Sequence, residues 1–192
     1  MANTHKPAGF RPVQHRNGAP YTGAFRPYSV AAGYGTALMI GDAVILAGTS
    51  QTINGRVLSD VERCATGGVP VGVVVGVQPD TQDSLRYRAA STLRTVYVAD
   101  DPDLLFGIIE GNSGTALTAN DAGLNADFVV ASGSTVTGLS GTMINNATEA
   151  TTNTLDLHLV GPVARPDNEI GYSCEWLVTF NRHQYRNQVA GI

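Results

Sequence analysis

Thr154-Leu155-Asp156-Leu157-His158-Leu159-Val160 alternates apolar and polar side chains, the two-residue period of a β-strand. Leu155, Leu157 and Leu159 point one way and Thr154, Asp156 and His158 the other, which predicts one core face and one wetter face. The stretch 175–181 repeats the pattern, with Trp176, Val178 and Phe180 opposing Glu175 and Thr179. Upstream, Val71-Gly72-Val73-Val74-Val75-Gly76-Val77 reads as a buried strand. Its odd-numbered valines share a face, and Gly72 and Gly76 mark a bulge or a close approach by another backbone. Asn54-Gly55 is a type I′ hairpin signal, residues 38–40 and 44–46 flank Gly41-Asp42, and further strands are predicted over 92–99, 106–110 and 128–131. Residues 100–103 and 111–114 read as turns. The single helical candidate, 118–127, is limited by Gly123 to one or two turns. Such short apolar segments divided by Gly, Asn, Asp and Pro define an all-β chain: a β-sandwich, a jelly-roll-like domain or a small barrel, among which periodicity does not choose. The Ser-, Thr-, Gly- and Asn-rich stretch 132–154 reads as a long exposed loop or hairpin.

Ahead of these segments lies a stretch of another character. Residues 1–41 carry Lys6, Arg11, Arg16 and Arg26 and no acid, and four prolines (Pro7, Pro12, Pro20, Pro27) fall in the first thirty residues. Each proline fixes φ, removes a donor and pushes its predecessor towards an extended conformation. Residues 1–36 therefore read as an extended N-terminal arm joined through Gly33-Tyr34-Gly35 to a β-rich domain over 37–192. Phe10, Arg11, Arg16, Tyr21, Phe25 and Arg26 are the expected anchors, because aromatic and Arg side chains dominate interface energetics. The chain has eleven Arg and one Lys, the bias expected where guanidinium groups stack and pair. Some of these residues are also compatible with the first strand of the chain's own sheet.

At 192 residues the chain buries about 70% of its unfolded surface, enough for a core without staples. Cys64 and Cys174 read as reduced thiols of a cytosolic product, since no continuous apolar run opens the chain. No run reaches the roughly 18 apolar residues of a membrane helix. Net charge is −4, divided into +4 over residues 1–41 and −8 over the rest. An acidic body with scattered arm cations argues against a nucleic-acid partner and for an acidic protein surface.

Motifs of catalysis are missing. There is no phosphate loop, no G-x-S-x-G and no zinc spacing, and His5, His15, His158 and His183 stand apart. Asp100, Asp101 and Asp103 offer oxygens to a hard cation, but Asp and Pro after a strand read first as a turn. Neither a metal nor a cofactor is expected. Glu110 and Asp103 are a conceivable carboxylate pair across a turn, and Cys174 with His158 a conceivable nucleophile and base.

Several blocks carry a resemblance: Gly9-Phe10-Arg11-Pro12-Val13 with Asn17-Gly18-Ala19-Pro20-Tyr21; Gly41-Asp42-Ala43-Val44; the 71–77 strand followed by Pro79-Asp80; Val96-Tyr97-Val98-Ala99-Asp100-Asp101-Pro102-Asp103; Gly123-Leu124-Asn125-Ala126-Asp127; and Arg165-Pro166-Asp167-Asn168-Glu169 ahead of Trp176-Leu177-Val178. Together, over nearly the whole chain, they resemble the head decoration or cement proteins of tailed bacteriophages. The resemblance implies a non-enzymatic virion protein, assembled in the host cytoplasm, that binds the outer surface of the capsid. It also implies a homo-oligomer, a trimer, that locks neighbouring major capsid subunits together. Two other classes stay open: a receptor- or glycan-binding head or tail appendage using the 132–154 surface, and a small β-hydrolase using Asp101, Asp103 or Glu110.

Overall fold

Twelve strands carry the fold in the computed structural model, which describes residues 3–186. They are β1 (Arg11–His15), β2 (Arg26–Val30), β3 (Ala43–Ile53), β4 (Arg56–Arg63), β5 (Gly72–Val77), β6 (Arg94–Ala99), β7 (Leu104–Ile109), β8 (Asn125–Ala126), β9 (Phe128–Val129), β10 (Met143–Ile144), β11 (Leu157–Pro162) and β12 (Glu175–Phe180). The chain is all-β. Five strands close a barrel in the order β2-β4-β3-β5-β6, and five form a sheet in the order β1-β7-β12-β11-β8, with the β9–β10 pair as a third, small sheet. The helical candidate reduces to a 3-10 turn, Ala119–Asp121, closed by a capping box between Thr118 and Asp121. Residues 1–2 and 187–192, the outer ends of the expected arm and domain, lie outside the described residues.

Two cores explain the strand sequences. Tyr28, Val30, Leu38, Val44, Val61, Val71, Val74, Val96 and Val98 fill the barrel. A second core forms where Ala43, Val73 and Ala99 of the barrel wall meet Leu104, Phe106, Ile108, Leu157, Leu159, Trp176, Val178 and Phe180 of the sheet. Strand β5 is buried on both faces, which is why its sequence is a nearly unbroken run of valine. Its glycines act as expected: a Cβ on Gly72 would meet the Ala99 carbonyl oxygen at 2.3 Å, and the register against β6 shifts between Val74 and Gly76. The β3–β4 hairpin turns at Asn54 and Gly55, with φ of 51° and 76°.

The faces expected to be wet are not all wet. Asp156 is 2% exposed, Glu175 7% and Thr179 1%. Asp156 accepts from the Gly67 N–H, and Glu175 is covered by the guanidinium groups of Arg11 and Arg165. Alternation therefore locates β12, whereas the strand expected over 154–160 begins only at Leu157 and runs to Pro162. It also mistakes buried polar groups for solvated ones, Asp156 and Glu175 being paired and Thr179 Oγ1 having no partner among the described residues.

The stretch 132–154 is a clearer correction. Instead of a wholly exposed loop or hairpin, it is partly interior: its strand β10 pairs antiparallel with β9, and Ser140, Thr142, Ile144 and Asn146 are all buried. Only 134–137 and 151–154 are exposed runs. Its small polar side chains serve the interior: Ser140 Oγ donates to Asp42 Oδ1 at 2.6 Å, and Asn146 Nδ2 donates to Glu110 Oε1 at 3.1 Å and to the Thr115 carbonyl at 3.0 Å. The chain can cross an interior this way because Ser140, Thr142 and Asn146 each find a partner, although the buried Glu149 Oε2 has none among the described residues.

The N-terminal stretch enters both sheets. β1 pairs antiparallel with β7, and β2 pairs with β6 and β4, so these residues form strands of the chain's own sheets. Gly9 makes the entry possible: at φ +68° a Cβ there would lie 2.4 Å from the Gly41 carbonyl oxygen. Gly9→Ala is expected to lower stability by about 2 kcal/mol through strain and overpacking. Urea unfolding checks this, and an unshifted midpoint would mean that residues 8–10 do not pack against 41 in this way.

Candidate functional site

Between β6 and β7 the chain turns through Asp100-Asp101-Pro102-Asp103. The Asp101 carboxylate accepts from the Asp103 N–H at 2.8 Å, an Asx turn that proline reinforces. Each carboxylate then meets a basic side chain from a distant part of the chain. Arg26 lies 3.4 Å from Asp100, His15 lies 3.1 Å from Asp101, and Arg186 pairs with Asp103. The Arg16 N–H donates to the Asp103 carbonyl at 2.8 Å. The basic N-terminal stretch thus meets the acidic body at this turn, as Arg11 does separately at Glu175. The three acids diverge to three partners, and among the described residues no group of His, Cys, Asp or Glu is arranged to hold a metal ion.

Aromatic rings frame the turn. Buried Tyr28 donates its O–H to Asp100 at 2.7 Å, and Tyr185 bonds the Tyr28 oxygen at 2.8 Å. Burial, aided by these two bonds, pushes the Tyr28 phenol far up, so it remains a neutral donor. The Arg26 guanidinium sits 5.8 Å from the Tyr185 ring centroid, and Phe25 stacks on Tyr97 at 4.6 Å. Phe25 is nevertheless 51% exposed and Tyr185 46%. Together with Ala24 and Pro102 these groups line an open cleft of about 480 Å³. Tyr185 is held there by the segment before it: the Tyr185 N–H donates to His183 Nδ1 at 3.1 Å, and the Gln184 N–H donates to the Pro70 carbonyl at 2.9 Å.

The six expected anchors divide. Phe10 is 1% exposed, packed edge-on against Phe106 and Phe128, and presents nothing outward. Arg11 is committed to Glu175, which Arg165 also holds. Tyr21 leans on the core and donates its O–H to the Ala24 carbonyl at 2.8 Å. Arg16, Phe25 and Arg26 alone come together on the outside, around the 100–103 turn. Tyr97, Tyr185 and Arg186 complete the cluster and were not among the expected residues. Tyr185-Arg186 repeats the Phe25-Arg26 pairing of an aromatic with an arginine, and that repetition was the available signal.

The catalytic pairings do not assemble. Glu110 and Asp103 lie beyond opposite ends of β7, roughly 20 Å of strand apart. Glu110 is buried and accepts from the Leu117 N–H, Asn146 Nδ2 and Trp176 Nε1. Burial pushes its carboxyl up while those donors pull it down. Cys174 precedes β12, whereas His158 sits opposite Thr179, five residues along, and bonds Asn125. Burial pushes the Cys174 thiol up to about 11 and the Cys64 thiol up to about 12, the reverse of a primed nucleophile. No helix of the described residues is long and apolar enough to cross a membrane.

Comparison with protein-family models, with curated proteins and with solved structures returned no match.

Proposed function

We propose that this chain is a non-enzymatic structural protein of a virion, which binds the outer surface of a phage capsid and stabilises contacts between major capsid subunits as a homo-oligomer, a trimer. One observation carries the reading: exposed Phe25, Arg26 and Tyr185 are held by ring and ion-pair contacts around one turn, beside exposed Arg16, whose backbone N–H is tied to it. Aromatic and Arg side chains held in place in this manner are the hot-spot chemistry of protein interfaces. Their ordering is accomplished on folding, by Asp100, Tyr97 and Tyr28, so docking forgoes much of the entropy loss that a loose arm would suffer. Binding only the assembled shell would stabilise it by mass action, multiplied over many copies. The family resemblance supports the same reading.

The test is sedimentation with shells lacking this protein, comparing the wild type with Phe25→Ala/Arg26→Ala. Two hot-spot losses of about 2 kcal/mol each would weaken binding by roughly 10³-fold. The thermal midpoint should move little, because both side chains are more than half exposed. Shells that do not retain the wild type, or that retain the double variant equally well, would overturn the proposal.

A further inference from the structure

Residues 3–8 cross the outside of the sheet without joining it. Asn3 makes most of the attachment: its Nδ2 donates to the Glu169 and Tyr172 carbonyls at 2.6 and 3.1 Å, and its Oδ1 accepts from the Glu169 N–H at 3.0 Å. His5 Nδ1 bonds Ser173 Oγ at 3.0 Å. Thr4, His5 and Lys6 are exposed, and the segment brings no large apolar side chain. It closes one wall of a cleft of about 350 Å³ that also includes Arg11, Arg165, Asn168 and Glu175. The well-packed part of the chain begins only at Gly9 and Phe10, where the Phe10 N–H donates to the Gly41 carbonyl at 2.9 Å.

Two further observations bear on what this strap does. Gly9, at φ +68°, stands at the junction between strap and core and can absorb a change of direction there. The loop gripped by Asn3 also leaves two large side chains uncovered beside the strap, Ile170 at 50% and Tyr172 at 53% exposure.

We infer that the strap is exchanged between copies: residues 3–8 of one chain seat on the 165–175 cleft of a second copy, and the approach of that copy covers Ile170 and Tyr172. Exchange of an identical segment keeps every contact of the strap and changes only which chain supplies it, so its enthalpic cost is small. Six extended residues reach roughly 20 Å, enough to span an interface that begins at Gly9. The apolar gain comes from the two side chains that a single copy leaves in water. This rests on the proposed function only for its self-association.

The experiment uses full-length chains carrying Thr4→Cys or Asp167→Cys, two exposed positions on opposite walls of the cleft that leave Asn3 and Tyr172 intact, one of them enlarged by a tag, mixed, unfolded, refolded together and treated with a short bismaleimide. Cys64 and Cys174 are buried with raised thiol values and stay silent at neutral pH. The expected product is a covalent pair joining one Thr4→Cys chain to one Asp167→Cys chain, and the chain carrying both substitutions should yield a ladder of linked multimers. Ile170→Ser/Tyr172→Ser should raise the oligomer dissociation constant by about 30-fold. A doubly substituted chain that closes only on itself, or a wild type that sediments as a monomer at all concentrations, would overturn the inference. Shell binding measured on the same samples separates the two claims: binding that still depends on Phe25 and Arg26 while the link stays within one chain sinks the exchange and leaves the capsid reading standing.

Discussion

Arg88→Ala is expected to lower the unfolding free energy by about 2–4 kcal/mol, a large fraction of the stability of a domain of this size. Arg88 is 0% exposed and has no carboxylate partner among the described residues. Its guanidinium is spread over four backbone carbonyls: Nε donates to Thr92 at 2.8 Å, Nη1 to Tyr34 at 2.7 Å and Thr36 at 2.8 Å, and Nη2 to Ala31 at 2.8 Å. The Tyr34 and Ala31 carbonyls have second donors in the Ser91 and Tyr34 N–H groups. Among the described residues, the Thr36 and Thr92 carbonyls depend on Arg88. Truncation therefore strips the half-buried Thr36 carbonyl and the more exposed Thr92 carbonyl of their protein donor, and opens a cavity where the fully buried side chain lay over the Tyr34 ring. Arg88→Lys should recover less than half, because one ammonium cannot reproduce a planar fork aimed at both sides of a loop. Urea unfolding of the three proteins decides it. A cost below about 1 kcal/mol for alanine, the lower bound for a single unpaired acceptor, would show that the 31–36 and 88–92 loops do not depend on this side chain.

Arg88 also illustrates what the sequence could and could not disclose. Tyr87-Arg88 lies in a stretch with no periodic signal, and nothing local distinguishes a guanidinium that pins loops from one that faces water. The partners at 31–36 are some fifty residues away, and only the closed barrel brings them within reach. The strands themselves were legible wherever packing imposes a period: 71–77, 94–99 and 175–180 are strands because their apolar side chains must meet a core on a given side. The I′ turn at Asn54-Gly55 was equally legible, since positive φ at two successive residues selects those types. Polar residues were the weak point. Ser140, Asn146, Asp156 and Glu175 look solvated in sequence because their satisfaction depends on pairings across 10 to 164 residues. The same limit applied to the site. Proline spacing reads residues 1–36 as an extended arm, but extension suits a strand as well as a strap: 11–15 and 26–30 are strands laid on β7 and β6, with a tight turn at 16–18 between them. Of the expected anchors, Arg16, Phe25 and Arg26 are exposed together, whereas Phe10 was claimed by a core whose other aromatics, Phe106, Phe128 and Phe180, lie nearly a hundred residues or more downstream.

The candidate site is expected to loosen in acid through His183. This ring is 3% exposed, and its Nδ1 accepts from the Tyr185 N–H while its other nitrogen faces the Val71 backbone. Burial, reinforced by Arg186, pulls its value from 6.5 down to about 4, against a weaker upward pull from Asp101, the Val71 backbone and Asp103. The folded state therefore holds His183 neutral at pH values where the unfolded chain protonates it. Its contribution is complete above the unfolded value of 6.5 and is lost as pH falls through the folded value of about 4. At about 1.36 kcal/mol per unit, that window is worth about 3 kcal/mol. Buried Asp42, Glu110 and Asp156 act in the opposite sense, since burial raises their carboxyls and protonation in acid relieves the folded state. The histidine's contribution is isolated by comparison with His183→Gln, whose amide oxygen can still accept from Tyr185 and does not titrate. The variant should be less stable than the wild type at pH 7 and should lose this disadvantage by pH 4, so the two urea midpoints converge. Protonated His183 can no longer accept from the Tyr185 N–H, and Tyr185 is the ring on which Arg26 lies and the hydroxyl that bonds Tyr28. Surface binding through Phe25 and Arg26 should accordingly weaken over the same range in the wild type and not in the variant. Parallel stability profiles from pH 7 to 4 would show that His183 does not titrate in the fold and that the site is not acid-sensitive through it.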